Sequence, residues 1–386
     1  MDFDVVIIGG GLVGASLAAA LKHTDLRLAL VESSEPAASY EPGWDNRIYA
    51  ISPGNADFLR ECGAWQHLDM ARVQPVTDMR VFGDTGAELD FNSFEIGTPA
   101  LTYILENARL QHALWQTLQQ QDNLTLFTRS RCSQLDWPDD QVRITLEDGR
   151  LINAKLLVGA DGRDSWVRQQ AGIHAQPVAY QQDGVVANFR TGKPHLDTAY
   201  QWFQQDGILA LLPLPQQMVS MVWSVSPEKS AQLLSMDAEV LGAEVSAASH
   251  HLLGDFEQVT PAAAFPLRLM RLEHVIAERL VLIGDAAHNV HPLAGQGVNL
   301  GFRDARSLAK ILAGRGPLQD CGDMRLLRRH ERARREDMLS MQIATDTLKK
   351  LFNNHHPLLR RVRNSGLSLT NRIAPLRKML ATHALN

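Results

Sequence analysis

Gly9-x-Gly11-x-x-Gly14 follows the apolar run Val5 to Ile8 and opens a helical stretch. In that context each glycine does something different. Gly9 permits a tight turn, Gly11 lets a pyrophosphate approach bare backbone at a helix N-terminus, and Gly14 lets the helix pack closely on a sheet. Glu32 ends the next apolar run, where a carboxylate can accept hydrogen bonds from an adenosine ribose. A glycine turn without a ligand is the plainer alternative, and an acidic residue at this spacing weighs against it. These residues alone fit NAD and FAD equally well.

A second group separates the two. Leu280-Val281-Leu282-Ile283-Gly284-Asp285 reads as a buried strand that delivers a carboxylate to its C-terminal end, where open α/β sheets bind ligands. A carboxylate there can hold a ribityl chain, which NAD lacks; as an isolated residue Asp285 would equally suit a helix cap. Pro292 and then Gly295 to Asn299 supply a rigid turn and bare backbone entering a helix. Gly297, Val298 and Asn299 can thus face the electron-rich pyrimidine edge of a flavin. A third group, Gly159-Ala160-Asp161-Gly162, ends another buried strand in a loop.

The elements that position these groups alternate as in a doubly wound α/β fold. Strand, glycine turn, helix and strand over Asp4 to Glu32 form a parallel βαβ unit. Helical spacing returns at Asn55 to Cys62, Asn107 to Gln121 and Asn299 to Leu312, and short strands broken by Asp-rich turns fill Leu124 to Val158. Val185 to Arg190, Gly207 to Leu212 and Val219 to Ser226 suit strands of a second sheet. The chain is therefore divided into a discontinuous dinucleotide-binding domain (1–75, 101–178 and 270–320), a β-rich substrate domain (76–100 and 179–269) and a basic helical region (321–386).

Bulk properties narrow the class. The 386 residues are 45% hydrophobic and 21% charged, as expected of a chain with sizeable cores. Cys62, Cys132 and Cys321 lie far apart and form no CxxC pair, so neither a disulfide framework nor a metal cluster is indicated, and a reducing cytoplasm is the expected home. Val5 to Leu21 is apolar enough to suggest a membrane segment, but no basic region precedes it and the triple glycine would weaken a spanning helix. Residues 322–386 hold 14 Lys/Arg and 5 Asp/Glu, so this net +9 region follows a body of −14. Such a tail suits a solvated basic face, a membrane surface or an acidic partner; nucleic acid is not among the expected partners.

With these motifs in place, the chain resembles the single-component flavin aromatic hydroxylases. Gly159 to Ser165 looks like their Asp-Gly motif and Gly284 to His288 like their Gly-Asp motif. His291 to Gly301, with Asp45-Asn46-Arg47, Ala50 to Ser52, Tyr103 to Trp115 and Val222 to Glu228, resembles the polyprenylphenol hydroxylases of ubiquinone biosynthesis, over nearly the whole chain. The resemblance implies a Rossmann-like FAD domain of the p-hydroxybenzoate-hydroxylase type. It implies that Gly9, Gly11, Gly14 and Glu32 hold the adenosine diphosphate half of FAD, that Asp161 and Gly162 support the pyrophosphate, and that Asp285 binds the ribityl chain. Pro292, Gly297, Val298 and Asn299 would line the ring, and Arg47 would lie near the pyrophosphate or the flavin; Arg47 and Pro292 are the expected catalytic pair. Asn107 stands where many of these enzymes carry arginine, leaving Arg109 or Gln111 to reach the cofactor.

The implied reaction is hydroxylation of a polyprenylphenol ring by O2 activated at flavin C4a, at ring carbon C5 by the resemblance of Val222 to Glu228 and Gly295 to Arg303. The protein's share of that work is to orient the phenol and exclude water. His288 and His291 flank the flavin loop and suit structural hydrogen bonds better than catalysis. The basic tail, through Arg328, Arg329, Arg332, Arg334 and Arg335, is expected to meet the inner face of a membrane, with other biosynthetic proteins as rival partners. Two further readings are a same-fold flavin enzyme acting on another aromatic or isoprenoid, and a flavin-free scaffold. A halogenase is disfavoured, since no Trp-x-Trp-x-Ile-Pro segment occurs.

Overall fold

The computed structural model describes residues 1–36, 43–83, 86–204, 207–289 and 296–336. Its centre is a sheet in which Leu280–Leu282, Leu151–Gly159, Asp2–Ile8, Leu28–Val31 and Leu124–Phe127 lie side by side and parallel. These strands are nearly continuous runs of Val, Ile and Leu because both faces are covered. Val5 and Ile7 point into one core with the helices Leu12–Ala20, Asn107–Leu118 and Gln296–Ala313, while Val6 and Ile8 point into the other. That second core is closed by the antiparallel hairpin Cys132–Asp136 and Val142–Leu146 and by the helix Trp166–Gln170.

Register explains why residues so distant in sequence meet. Ile8 stands opposite Gly159 and Val31, and Gly159 opposite Leu282, so all these strands end on one edge. The glycine loop, Glu32, Asp161-Gly162 and Gly284-Asp285 therefore leave the sheet together at its carboxyl end, where a crevice forms.

A second sheet runs in the order Phe256–Gln258, Gln176–Thr191, Met218–Val225, Gly207–Leu214, Thr198–Gln204, Asp78–Phe82 and Glu88–Asn92, with Ala263–Arg271 also paired to the long strand. One face builds a core from Phe189, Trp202 and Trp223, closed by residues of the helices Pro227–Leu234 and Ala238–Ala248. Sequence periodicity gives no sign of those two helices, nor of Thr198–Gln204, whose TAYQWFQ is buried on both faces and so does not alternate. A small sheet of Ile48–Ile51, Thr102–Glu106 and Gln74–Val76 adjoins the cavity between the two large ones.

Of the basic C-terminal region, 324–336 is helical, and residues 337–386 lie outside the described residues. No helix among the described residues is long and apolar enough to cross a membrane.

Candidate active site

The three motif glycines meet different surroundings. Gly9 has φ +105°, and a Cβ there would stand 2.4 Å from the Ala160 carbonyl oxygen. At Gly14 a Cβ would stand 2.0 Å from the Gly9 carbonyl oxygen. At Gly11 it would meet nothing within 4 Å. Two glycines thus serve the fold, and the third leaves open space at the start of the helix Leu12–Ala20. That helix has no capping side chain and no acidic residue in its first turn, so its N–H groups and dipole are left to an outside anion.

Glu32 is bound into the same loop. Its Oε2 accepts from the Gly10 amide at 2.7 Å, and its Oε1 accepts from the Ser34 amide at 2.9 Å and hydroxyl at 2.8 Å. Partial burial works against the charge, but these donors outweigh it and hold the carboxyl below its usual range. The Gly10 carbonyl in turn accepts from the indole of Trp115 and the amide of Gln111, each at 3.0 Å.

Below this loop lies a cavity of about 780 Å³. Its walls include Gly11, Arg47, Asn107, Gln111, Gly162, Asp285, Gly297, Val298 and Asn299 at one end, and the free face of the second sheet at the other. Asp285 is exposed to the cavity yet surrounded by protein on its other sides; that desolvation raises its pKa, against the pull of His288, Arg163 and Arg47. Arg47 has its amide donating to Asp45 Oδ1 at 2.8 Å and its carbonyl accepting from Asn107 at 2.9 Å, which fixes the backbone and leaves an exposed guanidinium at the cavity.

Three expected residues, Arg109, Asp161 and Arg334, are placed away from the cavity or surface expected of them, while Asn299 lines the cavity and is also held from behind. Arg109 turns away from the cavity and pairs with Glu106 at 2.7 Å, beside Arg72, which bonds the same carboxylate at 2.8 Å. Gln111 lines the cavity in its place because it lies two residues on, across the helix. Asp161 spends its carboxylate on the Ser165 hydroxyl at 2.5 Å and the Val167 amide at 3.0 Å, so it shapes the Asp-Gly turn from within, while Gly162, φ +83°, reaches the cavity. Asn299 is buried: its Oδ1 accepts from the Ser52 amide at 3.0 Å and its Nδ2 donates to the Ala50 carbonyl at 2.7 Å, which ties the helix to the small sheet. Arg334 belongs to the interior rather than to the basic surface. Pro292, with His291, lies outside the described residues.

Behind the site is a charged cluster that no local motif announces. Asp304 accepts from the Gly284 amide at 2.9 Å, from His288 Nε2 at 2.6 Å and from Arg334 Nε at 2.7 Å, all buried. Burial disfavours an imidazolium, yet Asp304 more than compensates and raises the pKa of His288; the same partners lower that of Asp304 despite its own burial. Arg168 makes a second brace, donating to the Ala286 and Arg163 carbonyls at 2.9 Å each and so joining the Gly-Asp and Asp-Gly segments. The only advance signal was helical spacing, which places Asp304 on the helix that follows the glycine loop.

A helix N-terminus without a capping side chain, the Glu32 carboxylate bound into the glycine loop and the Asp285 carboxylate at a second strand end meet at one crevice, with open space at Gly11. The fold and this site define an FAD-dependent monooxygenase. Residues 2–341 match the FAD binding domain family, and the chain belongs to it. It is 36% identical to the 3-demethoxyubiquinol 3-hydroxylase of Escherichia coli, covering 99% of this chain and 98% of that one. It is 35% identical to the ubiquinone hydroxylase UbiL of Rhodospirillum rubrum, covering 99% and 89%. The crystal structure of pqsL, a probable FAD-dependent monooxygenase from Pseudomonas aeruginosa, has the same fold, with a TM-score of 0.79 at 22% identity over 95% of this chain and 99% of that one.

Proposed function

We propose that this chain hydroxylates the aromatic ring of a polyprenylphenol in ubiquinone biosynthesis, at C5, using O2 and electrons from NAD(P)H. The observation that carries the reading is the cavity in which the flavin-binding groups share one space with an apolar sheet face. The names of the relatives support the pathway. FAD, when bound, supplies electron transfer and oxygen activation. The chain's residues hold it: Gly11 and the helix behind it take the pyrophosphate, Glu32 the adenosine ribose, Asp285 the ribityl chain, and the first turn of Gln296–Ala313 the pyrimidine edge. Arg47 neutralises charge beside the cavity, and Met79, Phe91, Ile208, Leu212 and Val222 keep water from the ring and receive a prenyl chain.

The test compares a prenylated phenol with a small soluble one, using purified holoenzyme, NAD(P)H and air. Ring hydroxylation is expected with the prenylated phenol and at least tenfold less with the soluble one. Equal rates, or hydrogen peroxide as the sole product, would contradict the assignment.

Membrane contact is proposed to run through the helix over 324–336. Arg325, Arg328, Arg329, Arg332 and Arg335 are exposed there at helical spacing, a basic stripe suited to anionic headgroups. Flotation with anionic liposomes that salt abolishes is the expected result, and flotation equal with neutral liposomes would contradict it.

A further inference from the structure

The cavity wall opposite the glycine loop is one face of the second sheet. On Thr198–Gln204, Tyr200 and Trp202 enter the sheet's own core, so Ala199, Gln201 and Phe203 turn to the other face. Gln201 lines the cavity, with Ala210 opposite it on one neighbouring strand and Val81 on the other. Its surroundings are therefore apolar.

Two buried polar side chains of this face line the cavity, Gln201 at 7% and Ser224 at 4% exposure. Among the described residues neither side chain has a hydrogen-bond partner in the protein. They stand two strands apart, roughly 10 Å by ordinary strand spacing, too far to share one ligand atom. The Gln201 amide opens into the cavity, where a bound ligand can take up its unused donor and acceptor. An amide offers a donor and an acceptor without charge. It suits a neutral oxygen substituent on an aromatic ring, a hydroxyl, methoxyl or carbonyl, and its strand neighbours Ala210 and Val81 add no charge beside it.

We propose that Gln201 is the specificity residue that fixes a neutral ring oxygen of the substrate within the apolar end of the cavity. The assignment rests on the reading of the substrate as a phenol. Hydrogen-bonding sites discriminate strongly against ligands that lack the matching group, because the protein's own polar atom is then stranded.

The test is ligand binding to the FAD-loaded, full-length protein without reductant, followed by perturbation of the flavin absorbance. One ligand is a short-prenyl methoxyphenol and the other the same prenylated benzene without oxygen substituents. Gln201→Met, which keeps length and volume, is expected to weaken the methoxyphenol about tenfold, the loss of one hydrogen bond, and to leave the prenylbenzene and FAD affinities within twofold. Gln201→Asn, which keeps the amide but withdraws it, should lose affinity for the methoxyphenol alone and serves if the methionine variant does not fold. Equal losses for both ligands would make Gln201 a packing residue, and no loss for either would remove it from the site. If the wild type with FAD bound takes up neither ligand, the phenol reading itself falls and the assignment with it.

Discussion

Gly11 and Gly14 belong to one motif and carry different burdens, which makes them separable by mutation. Gly11→Ala adds a methyl group to open space, so the apoprotein should keep its stability to within about 0.5 kcal/mol. FAD affinity should nevertheless fall at least tenfold in a titration, because the methyl occupies the approach to the pyrophosphate. Gly14→Ala drives a carbon into the Gly9 carbonyl and should cost roughly 1–3 kcal/mol in a urea melt of the apoprotein. A stable Gly14→Ala, or a Gly11→Ala with unchanged FAD affinity, would refute this division of labour. The glycine turn itself was legible because its pattern depends on backbone alone. The direction of Arg109 was not, since it follows from where Glu106 and Arg72 sit, and the commitment of Asp161 to its own turn depends on Ser165 and Val167.

At the scale of elements, the helices Gln296–Ala313 and 324–336 grip the Gly-Asp segment through Asp304. Asp304→Asn leaves the Arg334 guanidinium buried without its counter-ion and removes the charge that favours the His288 imidazolium. Its expected cost is about 3–5 kcal/mol by urea denaturation, with FAD affinity falling as Gly284 loosens; a loss under about 1 kcal/mol would show that the cluster contributes little. His330, on the same helix as Arg334, is buried and its pKa is pushed down to about 4, first by burial and then by Arg334 and His288, with Asp304 opposing. It stays neutral in the native state where the unfolded chain takes up a proton. Stability should therefore fall as pH drops from about 6.5 toward 4, and His330→Gln should flatten that part of a Tm-against-pH curve. An unchanged slope would count against it. Sequence periodicity found the first of these helices and much of the central sheet, whose apolar runs are unambiguous. Thr198–Gln204 and the two helices after Pro227 escaped because burial on both faces, or a short amphipathic turn, leaves no clean period.

Across the whole molecule, one edge of a mainly parallel sheet and one face of a mainly antiparallel sheet enclose a common space. The first presents backbone amides and carboxylates to that space, and the second presents apolar area with the Gln201 amide. All three cysteine thiols are pushed up to about 12 by burial, so the oxidising chemistry proposed for this chain meets no reactive thiolate at neutral pH. The three short motifs that meet at the sheet edge were readable in the sequence. The substrate end could be inferred only from resemblance, because its residues share a wall by strand parity and register, which no local pattern encodes.

The most direct test is a single turnover. Holoenzyme reduced under anaerobic conditions is mixed with a short-prenyl methoxyphenol and 18O2, and the phenol is analysed by mass spectrometry. The account predicts one labelled oxygen in the ring hydroxyl of the product and a stoichiometry approaching one per flavin. Label appearing only in hydrogen peroxide, with the phenol unchanged, would contradict it.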